Sequence, residues 1–155
     1  DACHISSPDP MGYGAESAIK QALQMADLTT EDISYINLHG TASHLNDAME
    51  SICIDRNFKN NVLCSSTKGL TGHTLGASGA VEAAFLWLCM SHGDNDGTFP
   101  IPFHAWDSEP DLRIPQLNLS TKGQFVKSAN GQLHMMSNSF AFGGSNVSLV
   151  LGKGI

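Results

Sequence analysis

Two histidines, His39 and His73, each stand beside glycines just beyond a short apolar run, with Lys68 close to the second. Such nitrogen groups can move protons or hold developing negative charge. In layered α/β proteins the groups that do chemistry gather at the carboxyl ends of strands. Three polar, glycine-bearing segments have that character: NLHGTAS at 37–43, with Asp47 beyond it, SSTKGLTGH at 65–73, and NSFAFGGSN at 138–146. Together they predict one site built where three strand ends converge. Singly, each has a plainer reading. A histidine after a strand is commonly a hydrogen-bonded structural residue, and a lysine a solvated charge. Gly143-Gly144 makes a hairpin turn, and Phe140 and Phe142 share one face of a sheet by the two-residue period. Metal chemistry is not expected, because the seven histidines show no HExxH or other ligand spacing. The four cysteines, at 3, 53, 64 and 89, form no CxxC pair, which argues against a zinc ribbon or a thioredoxin-like centre. Cys53, Cys64 and Cys89 lie in apolar runs and are expected to be buried free thiols in a reducing cytoplasm.

The elements that must position these residues follow from periodicity. Residues 1–13 are broken by Pro8, Pro10 and Gly12. Ile19, Ala22, Leu23 and Ala26 predict a helix over Ala15 to Leu28. Ile33 to Leu38 reads as a buried strand stopping at His39-Gly40. A helix is expected over Leu45 to Phe58, with Ser43 or Asn46 as N-cap. Asn61 to Ser66 reads as a strand, and 67–73 as a glycine-containing loop. A helix over Gly76 to Met90 is apolar all round, which predicts burial. Residues 92–115, rich in Gly, Pro and Asp, read as a long irregular excursion. Strands at 132–140 and 146–152, joined by so short a link, should pair antiparallel. The result is a layered α/β domain with one mixed sheet, no repeat and no internal linker.

Composition agrees. The 155 residues fit one domain, 41% of them hydrophobic and 15% charged, which is too apolar for a disordered chain. A net charge of −7 argues against nucleic acid or an anionic membrane as main partner. No apolar run reaches the about 20 residues that span a bilayer, and no secretory signal is expected. The first residue is Asp1 rather than Met, so further chain is expected upstream.

The segments also resemble a known family in their own order. NLHGT at 37–41 resembles the HGT motif of condensing enzymes, and SSTKGLTGHTLGASG at 65–79 closely resembles their SSTK…TGH…GA.G stretch. Residues 138–146 resemble NSFGFGGTN, and the opening DACHISSP resembles DAYHMTSP. The chain is similar to the C-terminal half of β-ketoacyl-(acyl carrier protein) synthases of the His-His elongating type. That resemblance implies half of a thiolase-like fold. The nucleophilic cysteine of the family lies in the N-terminal half, and no cysteine here stands in its motif.

The resemblance implies roles residue by residue. His39 and His73 match the histidines that hold the malonyl thioester carbonyl and stabilise the enolate oxygen on loss of CO2. Lys68 and Glu82 match a hydrogen-bonded pair around the second histidine. The setting of Glu82 among alanines is consistent with burial beside a partner. Thr41 and Ser43 match hydroxyls that bind the phosphopantetheine arm, Ser43 standing where Thr is usual. Phe142 matches a gating phenylalanine whose backbone N–H serves an oxyanion hole, with Gly143 beside it giving the loop freedom to swing. Ala141 replaces the commoner glycine, and His44 stands where proline is common. The 92–115 stretch, with Phe103, His104 and Trp106, matches only loosely and receives no role.

The implied activity is decarboxylative condensation of malonyl-carrier protein with an acyl thioester, in fatty acid or polyketide-type elongation. It needs no cofactor beyond substrates carried on phosphopantetheine. The implied partners are the acyl carrier protein, the N-terminal half and a second copy in a homodimer. A non-catalytic partner subunit of the chain-length-factor type is the alternative, decided by whether an upstream cysteine exists. A thiolase would carry a cysteine with glycine two residues on, which none here has, and a His-Asn synthase would carry Asn in place of His73.

Overall fold

The computed structural model describes residues 4, 7–129 and 131–154. Helix α1 runs Tyr13–Ala26 and buries Ala15, Ile19 and Leu23, a stripe of every fourth residue. It stops two residues short of the expected Leu28. Asp27 turns left-handed at φ 55°, and the N–H groups of Asp27 and Leu28 close on the carbonyls of Gln24 and Leu23. This is the paired closure that satisfies a helix end.

Strand β1, Ile33–Asn37, lies parallel to β2, Leu63–Ser65, on one side and to β5, Gln132–Phe140, on the other. A strand flanked and covered on both faces wants apolar residues throughout, and four of its five residues are buried. Strand β6, Asn146–Gly154, returns antiparallel beside β5 with Phe140 opposite Asn146, as the short link requires. The order β2-β1-β5-β6 makes the expected mixed sheet.

The sheet sorts its two faces by period two. Ile36 and Met136 join Ala15, Ile19, Cys53 and Ile54 under α1 and α2, the latter His44–Phe58. Tyr35 and Met135 turn the other way and pack with Leu86, Met90 and Phe99 under α4, Ser78–Ser91.

Four expectations change. Residues 67–73 are not all loop, because Lys68–Thr71 form a single helical turn, α3. The 92–115 excursion is not wholly irregular. Its Thr98–Pro100 is a strand, β3, pairing antiparallel with β4, Phe125–Lys127, in a second small sheet. Ser43 takes the N-cap position of α2, but its hydroxyl makes no capping bond. Helix α4 starts at Ser78 after a 3-10 turn and is not buried all round. It buries Ser78, Glu82, Leu86 and Met90, while Trp87 and Leu88 are exposed. Cys53 and Cys64 are buried free thiols as expected, and Cys89 is half-buried. Cys3 and most of the DACHISSP stretch lie outside the described residues.

Candidate active site

The ends of β1, β2 and β5 do converge. His39 follows β1 by two residues and is buried, its ring 5.7 Å from that of His73 at 86° and 5.9 Å from that of Phe140. His73 itself is exposed, in the loop after α3. Burial first, then the nearby Lys68 and His73, bring His39 down to about 4. Its imidazole is therefore neutral at pH 7 and offers one N–H. The backbone N–H of Leu75 donates to His73 Nδ1 at 3.3 Å. A neutral ring accepting at Nδ1 carries its proton on Nε2, so this bond assigns the tautomer and leaves Nε2–H as a donor.

Behind the rings, Lys68 at the start of α3 donates from Nζ to Glu82 Oε1 on α4. The side chains of both are almost fully buried, and Ser78 Oγ adds a bond to the same oxygen at 3.3 Å. The expected buried pair is thus present, and its Glu82 sits on the packing stripe of α4. Among the described residues, Glu82 Oε2, Asn37 Oδ1, Ser137 Oγ and His39 Nδ1 are buried and find no hydrogen-bond partner.

Thr41 and Ser43 are brought together, their hydroxyls 3.1 Å apart, and Asn46 Nδ2 donates to Thr41 Oγ1 at 3.1 Å. Phe142 stands on the turn between β5 and β6 and is 62% exposed, and Gly143 and Gly144 have φ of 76° and 96°. Those angles favour glycine. The phenyl ring beside His39 is supplied by Phe140.

Glu50 lies in none of the three motif segments. This carboxylate is buried on α2, and it accepts the His39 N–H on Oε1 at 2.9 Å and the Gly40 N–H on Oε2 at 2.8 Å. Asn138 Nδ2 reaches the same Oε1 at 3.4 Å. Burial pushes Glu50 up to about 7, against the pull of these donors. The signal was available: Glu50 precedes Ile54 by four residues and Phe58 by eight, so it falls on the apolar stripe of its helix. Gly40 is needed where it stands. It has φ 37°, and a Cβ there would lie 2.5 Å from that of Ser66.

Two imidazoles with a neutral His39 and a fixed His73 tautomer can donate to one anionic oxygen. A nucleophile is a different matter. Burial pushes Cys53 and Cys64 up to about 12 and Cys89 up to about 11, which keeps all three thiols protonated at neutral pH. Among the described residues no helix is long and apolar enough to cross a membrane.

A family model described as "Beta-ketoacyl synthase, C-terminal domain" matches residues 1–99. The chain belongs to that family. This ketoacyl synthase domain is 40% identical over 157 residues to the mitochondrial 3-oxoacyl-[acyl-carrier-protein] synthase of Arabidopsis thaliana, a match covering 97% of the chain and 32% of the relative. It is 36% identical to 3-oxoacyl-[acyl-carrier-protein] synthase 2 of Synechocystis, over 99% of the chain and 35% of the relative. A solved ketosynthase (ApeO) in complex with its chain length factor (ApeC) from Xenorhabdus doucetiae superposes with a TM-score of 0.85 at 45% identity, over 100% of the chain and 37% of its counterpart. A β-ketoacyl synthase from Burkholderia phymatum gives 0.79 at 31%, over 100% and 35%. The thiolase-like fold expected from the motifs is therefore the fold of the domain. The chain spans about a third of the length of these relatives.

Proposed function

We propose that the domain supplies the decarboxylation half of a β-ketoacyl-(acyl carrier protein) synthase site. The observation that carries this reading is the pair of imidazoles set edge-on 5.7 Å apart, His39 neutral and His73 held with its proton on Nε2. A malonyl thioester carbonyl held between them would receive two N–H donors. When the bond to the carboxylate breaks, CO2 leaves and its electron pair passes into the thioester, placing negative charge on that oxygen. Donors already aimed at the oxygen lower the barrier, and losing one such donor typically costs about 10²–10³ in rate. The enolate carbon then attacks an acyl thioester on a cysteine of the N-terminal half, forming the new carbon–carbon bond and releasing the thiolate. Lys68 and Glu82 set the charge and orientation behind the rings. Thr41 and Ser43 bind the phosphopantetheine arm of the acyl carrier protein, and Phe142 with Gly143 gates the acyl side.

The test uses the full-length protein. His39→Ala and His73→Ala should each abolish decarboxylation of malonyl-carrier protein while the cysteine still accepts its acyl group. Decarboxylation that survives both changes would sink the proposal. A full-length protein with no cysteine at the upstream strand–helix turn would instead be a non-catalytic partner subunit. The 155-residue piece alone should form no β-ketoacyl product, because none of its cysteines stands in the motif of the family nucleophile.

A further inference from the structure

We infer that His104 is a positioning residue for this site, fixing through the Ser66 amide the two turns that carry His39 and Lys68. The inference rests on the decarboxylation reading above. His104 lies beyond residues 1–99, which the family model matches, and its imidazole meets the Ser66 amide and the Trp106 ring. Its effect must pass through the backbone.

Strand β2 ends at Ser65, and the next N–H, that of Ser66, is donated to His104 Nδ1 at 3.0 Å rather than to a sheet partner. Ser66 is buried, so an N–H deprived of that nitrogen would be a buried donor without a partner. Ser66 is also the residue that ties the two turns together. Its hydroxyl donates to the Gly40 carbonyl at 2.6 Å and accepts the Lys68 N–H at 3.2 Å. A shift of Ser66 would therefore be felt beside His39 and at the root of Lys68 together.

His104 is itself held firmly. Its own N–H donates to the Ser120 carbonyl at 2.9 Å, and the Ser120 N–H donates to Cys64 in β2 at 2.9 Å. The hydroxyls of Ser65 and Ser120 both donate to the Pro102 carbonyl, at 3.0 and 2.7 Å. The Trp106 ring stands edge-on to the imidazole at 5.8 Å. On the far side Gly69 lets α3 approach so closely that a Cβ there would lie 2.8 Å from the Ala105 carbonyl oxygen. The segment around His104 is thus a fixed brace between β2 and α3. With Nδ1 accepting, the ring is neutral and its proton sits on Nε2, and burial lowers its pKa in the same direction.

The experiment compares His104→Leu, His104→Asn and His104→Gln in the full-length protein. The asparagine Oδ1 stands where Nδ1 stands and can accept the Ser66 N–H, whereas the glutamine acceptor is one bond too far. His104→Leu should lower kcat for malonyl decarboxylation about 10- to 100-fold, the scale of a small misplacement. KM for malonyl-carrier protein and acylation of the cysteine should stay at wild-type values. His104→Asn should restore the rate, and His104→Gln should not. If His104→Leu fails to fold, the comparison of Asn with Gln decides, and equal rates for those two would overturn the inference. A wild-type rate in His104→Leu would overturn it alone. A wild-type protein that does not decarboxylate would overturn the reading of the site, and this inference with it.

Discussion

Glu50 grips both backbone N–H groups of the His39–Gly40 turn, one on each carboxylate oxygen, at 2.9 and 2.8 Å. The turn leaves β1 at the point where sheet pairing ends, and Glu50 gives the buried His39 N–H and the half-buried Gly40 N–H their acceptors there. A helix residue thereby fixes the direction in which His39 leaves its strand.

Glu50→Gln tests that grip. Glutamine keeps the size but accepts with one oxygen only, and its amide nitrogen would face a backbone N–H, donor against donor. One buried donor left unpaired costs about 1–3 kcal/mol. The urea midpoint of Glu50→Gln should fall accordingly, with the slope of the transition unchanged. Wild-type stability in this variant would mean the turn is held by other contacts.

The pH dependence of stability should reveal Glu50 and His39 as opposed titrations. Glu50 is raised from 4.5 to about 7, so the native state holds its proton more tightly than the unfolded chain does. That contribution is full below about 4.5 and is lost as pH rises through about 7. His39 is lowered from 6.5 to about 4, so the unfolded chain binds the proton first. Its contribution is present above about 6.5 and is lost as pH falls through about 4. Between about 4.5 and 6.5 the two slopes cancel. Glu50→Gln should expose a rising limb and His39→Asn a falling one, each at most about 1.4 kcal/mol per pH unit. Superimposable stability–pH curves for wild type and both variants would count against the assignment.

The Lys68–Glu82 pair gives a third expectation. Lys68→Met leaves a carboxylate buried without its cation, which costs about 3–5 kcal/mol. The double variant Lys68→Met, Glu82→Gln should regain most of that, as measured by a double-mutant cycle. Because Lys68 helps lower His39, its removal should also move the His39 titration upward. An NMR titration of His39 unchanged in Lys68→Met would separate the pair from the histidine it backs.

The strand ends were legible because glycine, histidine and asparagine interrupt apolar runs there, and the β5–β6 pairing because its link is short. Other features leave no such trace. Four residues, Lys68–Thr71, cannot show a helical period, so α3 reads as loop. Strands β3 and β4 have three residues each, β3 ends in Pro100, and their pairing spans a long stretch of chain. Glu50 hid among the polar residues of α2, and only its place on the apolar stripe distinguishes it. The apolar character of α4 was read correctly, but its burial was not. Burial depends on what covers a helix, and here one stripe is covered while Trp87 and Leu88 face outward. The tautomer of His73 is set by an N–H two residues on, a fact of geometry that residue types do not encode.

Glu82 occupies one of the four inward positions of α4, with Ser78, Leu86 and Met90 as the others. The helix therefore anchors to the sheet through the same row of side chains that reaches the site. A mutation that re-seats Leu86 or Met90 would rotate the carboxylate away from Lys68, and a change at Glu82 would loosen the anchorage. Folding and reactivity cannot drift apart along this helix. In an engineered or diverging lineage α4 would have to be inherited as a block, its core-facing residues travelling with the charge they hold in place.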